Sequence, residues 1–308
     1  MIRRMGWAPV AVAAVLAWSA AVMPPAARAE EVTIKPGALT LNANLETADG
    51  AGPESPIVLI THGTLAHNGM EIIRAQQKLL AERGLSSLAI NLSLGLDNRH
   101  GMYDCKVPHV HGQHDAADEI AAWVGWLVAR GATDITVMGH SRGGTQTAAY
   151  AAGPTRHPAV KRAALMAPGT WDKAKVAAGY EKANGQPLQL VLDLAWQAVA
   201  AGRPGEMLHD TGILYCPGAT VSAGSFVSYY QEDPRLSILT LIDDVPIPTL
   251  ILAGTADTVV ADLIPAMPAH LRDGVTLKVI DGADHFFLDF YGEDAADAVA
   301  AFVEDGGT

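Results

Sequence analysis

Cysteine is nearly absent from this chain: Cys105 and Cys216 are the only two in 308 residues. Neither stands at the N-terminus, so no lipid-bearing cysteine follows a cleaved leader. Basic residues are scarce as well. Lys and Arg number 21 against 33 Asp and Glu, a formal net charge of −12. Such a surface repels phosphate backbones and anionic membranes, which excludes nucleic acid as an expected partner. No internal repeat or low-complexity tract appears after residue 30. Only 18% of residues are charged while 49% are hydrophobic, which excludes a disordered chain and allows one large domain with a substantial core.

The first residues stand apart from the rest. Met1-Ile2-Arg3-Arg4 is a positive start, Ala8 to Met23 is apolar, and Ala27-Arg28-Ala29 is a small-x-small cleavage site before Glu30. This is the pattern of a secretory signal peptide over residues 1–29, cleaved after Ala29. The apolar stretch is too short for a stable membrane anchor. The expected product is a soluble periplasmic or secreted chain of residues 30–308. Losing Arg3, Arg4 and Arg28 leaves 18 basic residues against 33 acidic ones, a net of −15. Export also places Cys105 and Cys216 in an oxidising compartment. A Cys105–Cys216 disulfide is expected there, with two unpaired buried thiols as the alternative.

Past residue 30 the apolar runs alternate in kind. "VTIKPGALTLNANLETA" (32–48) reads as two strands joined at Pro36-Gly37. "PIVLITHG" (56–63) and "SSLAINLS" (86–93) are continuous apolar runs, as in strands buried on both faces. Between them, residues 68–84 have helical spacing and end at Gly84. A helix follows over 114–131, with acids in its first turns, then a strand over 134–141, a helix over 142–152 and a strand over 161–168. Residues 170–245 contain no strong strand but several helical stretches and seven aromatics, from Trp171 to Tyr230. Strands resume at 247–257 and 276–285, and a last helix covers 293–305. This alternation predicts a mostly parallel eight-stranded α/β sheet with helices on both faces. The stretch at about 170–245 is then a helical cap inserted after the sixth strand, over the C-terminal ends of the strands.

Gly139-His140-Ser141-Arg142-Gly143 follows a buried strand and opens a helix, the setting that a G-x-S-x-G turn requires. Close backbone approach on both sides of the serine leaves no room for a β-carbon, hence the flanking glycines. The turn lifts Ser141 above the sheet and aims the first helical amides at the same spot, where an oxyanion can be held. A serine hydroxyl needs a base, and the base needs an orienting acid. Asp257 follows one later strand and His285 the next. Asp243, Asp244 and Asp262 are rival acids, and Asp284 is an alternative neighbour for His285. After the third strand, "THGT" offers the Thr64 amide as the second oxyanion donor beside that of Arg142, with Leu65 as the alternative to Thr64.

With these motifs the sequence resembles the α/β-hydrolase superfamily, in its exported serine esterase and lipase-like branch. "THGT" matches the oxyanion turn, "GHSRGG" the nucleophile elbow, "LILAGTADTVV" the acid loop and "DGADHFF" the histidine loop, over residues 38–305. The resemblance implies Ser141 as nucleophile, His285 as base and acid, Asp257 as orienter, and the Thr64 and Arg142 amides as oxyanion donors. It implies hydrolysis of a carboxylic ester through an acyl-serine, with no cofactor. The aromatic cap favours a small or medium apolar or aromatic ester. The same triad also serves thioester or amide hydrolysis and acyl transfer, and a scaffold of this kind can bind without catalysing. Two departures from the pattern stand out. Arg142 replaces an uncharged residue, and the oxyanion turn lacks a glycine run. A second cluster, His109, His111 and His114, has ligand-type residues but no firm metal geometry, and is expected to be a polar loop at the rim of the site.

Overall fold

The computed structural model describes residues 1–2 and 28–307. The signal-peptide assignment therefore falls almost wholly outside the described residues. In chain order come β1 (Arg28–Ile34), β2 (Leu41–Thr47), β3 (Ile57–Thr61), α1 (Glu71–Glu82), β4 (Ser86–Asn91), α2 (Asp115–Val128), β5 (Ile135–His140), α3 (Arg142–Ala152) and β6 (Val160–Met166). The strands form one eight-stranded sheet ordered β1-β2-β4-β3-β5-β6-β9-β10, completed by β9 (Thr249–Gly254) and β10 (Val275–Ile280). The pairs from β4 to β10 are parallel, and β1 and β2 close one edge antiparallel. The α/β-hydrolase architecture read from the sequence is the observed one.

Every residue of β3, β4, β5 and β9 is buried, which explains their unbroken apolar runs: helices cover both faces of the sheet. Handedness then sets the layers. From β3 the chain crosses toward the β1 edge, whereas from β4 and β5 it crosses toward the β10 edge. Right-handed crossovers put α1 on one face and α2 and α3 on the other. Helix α1 packs against α9 (Phe290–Glu304), which follows the short α8 (Leu263–Ala266), and α2 packs against α3. The direction reverses between the neighbouring strands β3 and β5, whose ends lie level at Thr61 and Gly139. Ligands bind outside the carboxyl ends of the strands at such a switch point.

Between β6 and β9 lie α4 (Lys173–Asn184), α5 (Leu188–Ala200), α6 (Ala223–Tyr230) and the short α7 (Ile238–Leu241). The expectation of a purely helical insertion is corrected here. A two-stranded antiparallel hairpin, β7 (Met207–Ile213) and β8 (Cys216–Ser222), sits between α5 and α6. Its sequence lacks the Asn-Gly or Asp-Gly turn that marks a hairpin. The turn is Leu214-Tyr215 instead, with Leu214 at φ 55°. Contacts distant in sequence hold it: His109 N donates to Thr220 O (2.8 Å), and Ser222 N donates to His109 O (2.9 Å). Tyr180, Phe226 and Tyr230 pack together beneath it, with ring centroids 4.7–5.8 Å apart. Three of the seven aromatics thus form a small core of their own.

Cys105 and Cys216 are joined in a disulfide, with Cα atoms 5.3 Å apart across a sequence separation of 111. It fastens the loop after β4 to the start of β8. Loop-closure entropy of that length sets a limit near 4.7 kcal/mol. The main-chain bonds at His109 already hold the hairpin in place. The double variant Cys105→Ser/Cys216→Ser is therefore expected to lose about 2–4 kcal/mol in a urea unfolding curve. A loss below about 0.5 kcal/mol would show that the hairpin is held by its hydrogen bonds alone.

Among the described residues no helix is long and apolar enough to cross a membrane.

Candidate active site

The strand β5 ends at His140, and the chain turns at Ser141 with φ 56° and ψ −127°, a region that side-chain-bearing residues rarely occupy. Neighbouring contacts force it. A β-carbon on Gly139 would collide with Gly143 O and Thr147 Oγ1, and one on Gly143 would collide with His62 O. Both obstacles include backbone atoms that cannot swing aside, so only glycine allows the turn to close. Ser141 N donates to Met166 O (2.9 Å), and Ser141 O accepts from Gly144 N (2.9 Å). These bonds hold the strained residue in place. Arg142 and Gly143 open α3, where amides have no carbonyl one turn back within the helix.

The structure brings Ser141, His285 and Asp257 together. Ser141 Oγ lies 2.9 Å from His285 Nε2, and His285 Nδ1 lies 2.8 Å from Asp257 Oδ2. Asp257 is 7% and His285 6% exposed, so water competes little for these contacts. The other carboxylate oxygen, Asp257 Oδ1, accepts from Val259 N (2.7 Å) and Val260 N (3.1 Å). Two backbone donors on one oxygen leave the second to face the imidazole. A carboxylate can only accept, so the proton of His285 sits on Nδ1 and Nε2 is free to receive one from Ser141. The rival acids lie elsewhere. Asp262 accepts from Thr170 Oγ1 (2.7 Å) and pairs with Lys175 (2.8 Å), while Asp243 pairs with His270 and Arg272. Asp284 accepts from Phe286 N (2.9 Å) and opens the turn that contains His285.

His140 packs against the triad without entering it. Its Nε2 donates to His285 O (2.8 Å), and the two rings lie 4.9 Å apart. Burial pushes its pKa down to about 4, so it stays neutral. It fixes the main chain from which His285 projects.

The turn after β3 is held by a residue that carries no motif. Arg99 donates to Leu92 O (2.8 Å), Gly101 O (2.6 Å), Ala66 O (2.8 Å) and Asn91 Oδ1 (2.7 Å), and lies 3.2 Å from His62 Nε2. It is 6% exposed, and burial lowers its pKa to about 10. His62 Nε2 also accepts from Leu92 N (3.1 Å), so this nitrogen is unprotonated. Burial and the nearby Arg99 lower the His62 pKa to about 3. Arg99 thereby ties the 62–66 turn to the loop after β4. Leu65 takes φ 50°, which bends the chain directly after Thr64. Nothing in "LDNRHG" marks Arg99, because its five acceptors come from scattered backbone and side-chain positions.

The histidines of "PHVHGQHD" do not converge. His109 Nδ1 lies 3.3 Å from His111 Nε2, and His111 Nδ1 lies 2.7 Å from Tyr229 Oη. Both rings are buried against Tyr103. Burial lowers the His109 pKa to about 4 and the His111 pKa to about 3. His114 instead faces Asp233, 3.3 Å away. Among the described residues no group of three or more His, Cys, Asp or Glu side chains could hold a metal ion. For His109 and His111 the expectation of a polar loop at the rim gives way to a buried pair behind the site.

Arg142 reaches toward the insertion. Its Nε donates to Thr64 Oγ1 (3.1 Å) and a terminal nitrogen donates to Gln113 Oε1 (2.8 Å). Its guanidinium carbon lies 5.4 Å from the centre of the Tyr229 ring. Thr64 and Arg142, the latter next to Ser141 in the chain, line a cavity of about 330 Å³. Its far wall is Val176, Tyr180, Leu214, Tyr215 and Tyr230, all from the insertion. Tyr215 at the hairpin tip lies 3.4 Å from Thr64 O.

A search of curated proteins found no match. Solved structures do match. Est1E of Butyrivibrio proteoclasticus, determined with ferulic acid bound, superposes with a TM-score of 0.64 at 19% identity, covering 89% of this chain and 98% of that one. A Pyrococcus furiosus esterase gives 0.58 at 16% identity, covering 92% and 91% of the two chains. A dienelactone hydrolase of Anabaena variabilis gives 0.52 at 18% identity, covering 91% and 96%. At such identities the likeness is one of fold. The profile of the alpha/beta hydrolase family matches residues 57–302, which takes in the Thr64 turn, the Ser141 elbow and both later loops. From that match over most of its length, and from the sheet that carries it, the chain belongs to the alpha/beta hydrolase family.

Proposed function

We propose that the protein is an exported serine hydrolase that cleaves a small-molecule carboxylic ester through an acyl-serine. The observation that carries this reading is the relay in which His285 stands 2.9 Å from Ser141 Oγ and 2.8 Å from Asp257. Ser141 Oγ gives its proton to His285 Nε2 as its oxygen attacks the ester carbonyl. The carbonyl oxygen becomes an oxyanion, held by the amides of Thr64 and Arg142. Asp257 stabilises the imidazolium that forms. The tetrahedral intermediate collapses, His285 protonates the departing alkoxide, and an acyl-serine remains. Water, deprotonated by His285, then releases the acid and restores Ser141.

Chemistry of this kind needs no metal or organic cofactor. The tyrosines and aliphatic residues of the cavity support an ester with an apolar or aromatic body, and its fold relative Est1E has been determined with an aromatic acid bound. The signal sequence at residues 1–29 supports export to the periplasm or beyond.

A fluorophosphonate probe tests the reading, because it reacts only with an activated serine. Wild type is expected to take one label, on Ser141, and Ser141→Ala none. Unlabelled wild type with a normal unfolding transition would remove the serine hydrolase.

A further inference from the structure

Among the described residues that line the cavity, Arg142 is the only charged one. Its partners are the neutral Thr64 hydroxyl, the Gln113 amide and the face of Tyr229. Those two hydrogen bonds engage two of the five N–H donors of a guanidinium. No carboxylate of the described residues pairs with it, although the chain has 33 acidic residues. Arg142 is half-buried, and the two fully buried arginines differ. Arg162 forms a two-pronged pair with Asp134 at 2.6 and 3.0 Å. Arg99 is surrounded by acceptors, five in all. Even partial withdrawal of a cation from water without a counter-ion has a cost, and an arginine fork matches a planar carboxylate. The rest of the surface has excess negative charge, which repels an anion and leaves Arg142 as the local feature able to receive one.

We infer that Arg142 recognises a carboxylate on the substrate, so that the preferred ester carries one free acid beside its apolar or aromatic body. This rests on the serine esterase reading and narrows its substrate class. The acid engages the unpaired N–H groups of Arg142, and Tyr180, Tyr215 and Tyr230 cover the apolar part. A cavity of about 330 Å³ limits that body to a short chain or a single ring.

The test compares two matched pairs of esters on wild type, Arg142→Gln and Arg142→Lys. One pair places the acid in the acyl half: the mono-4-nitrophenyl ester of glutaric acid against 4-nitrophenyl pentanoate. The other places it in the leaving group: 3-acetoxybenzoate against phenyl acetate. Wild type is expected to prefer the acidic member of at least one pair by about 10–100-fold in kcat/KM, the size of a hydrogen bond to a charged group. In Arg142→Gln that preference falls to about one, chiefly through KM, and in Arg142→Lys part of it survives. Loss of the Thr64 contact slows both members of a pair alike, so the ratio isolates the charge. Hydrolysis of the neutral esters with no preference in either pair, or a preference that Arg142→Gln leaves intact, overturns the inference while the esterase reading stands. Absence of both hydrolysis and fluorophosphonate labelling in wild type removes the esterase reading and this inference with it.

Discussion

His285→Ala is expected to lower kcat by about 10⁵–10⁶-fold, and Asp257→Asn by about 10⁴-fold. The first follows from the chemistry of serine, whose hydroxyl is a weak nucleophile until a base takes its proton. His285 Nε2 is that base, 2.9 Å away. The second follows from the two oxygens of Asp257. Val259 N and Val260 N donate to Oδ1, so an asparagine would keep its carbonyl oxygen there. Its amide nitrogen would then face His285 Nδ1, 2.8 Å from the present Oδ2. Two N–H groups cannot share that contact. His285 would move its proton to Nε2, the atom that must accept from Ser141. The fall is read from kcat on a nitrophenyl ester. Ser141→Ala/His285→Ala should lose little more than either single variant, because the residues act as a unit. An Asp257→Asn enzyme within tenfold of wild type would sink the proposed role of the acid.

The largest effect on stability is expected from mild acid. His62, His109, His111 and His140 are all buried, with pKa values lowered to about 3, 4, 3 and 4. In the unfolded chain each titrates near 6.5. Below that pH the unfolded state binds protons that the native state refuses, so stability falls as pH falls. The loss begins near pH 6.5 and continues to about pH 3–4, where the native histidines protonate. Each histidine contributes at most about 1.4 kcal/mol per pH unit in that window. Four together remove, by about pH 5, an amount comparable with the whole 5–15 kcal/mol of a typical domain. Thermal unfolding scans should show a Tm nearly flat above pH 7 and falling steeply below 6.5. The variant His109→Gln/His111→Gln should fall less steeply. A wild-type Tm that is level from pH 7 to 5 would contradict the buried neutral histidines.

The strands β3, β4, β5 and β9 are buried on both faces, so burial writes itself into the sequence as an unbroken apolar run. The helices α1, α2 and α3 announce themselves by spacing and by what ends them. The hairpin β7–β8 does neither. Its strands carry Gly212, Pro217 and Gly218, and its pairing is completed by His109, more than 100 positions away in the chain. A window of local sequence cannot contain that partner.

The same distinction runs through the site. Local sequence is enough for the alternation of strands and helices, the glycines around Ser141, and the order of Ser141, Asp257 and His285 along the chain. These are local matters, since each motif is short and its geometry is set by its own strand and turn. Tertiary structure supplied the contact itself: Asp257 already follows its strand in the sequence, and the folded chain sets its Oδ2 2.8 Å from His285 Nδ1 while Asp243 and Asp262 pair elsewhere. It also decided that His109 and His111 are buried behind Tyr229 while His114 turns to Asp233. Arg99 and Arg142 were decided there too. Their partners come from the turn after β3, the end of β4, the loop that follows it and the insertion, and a charged side chain reports its role only once the groups around it are in place.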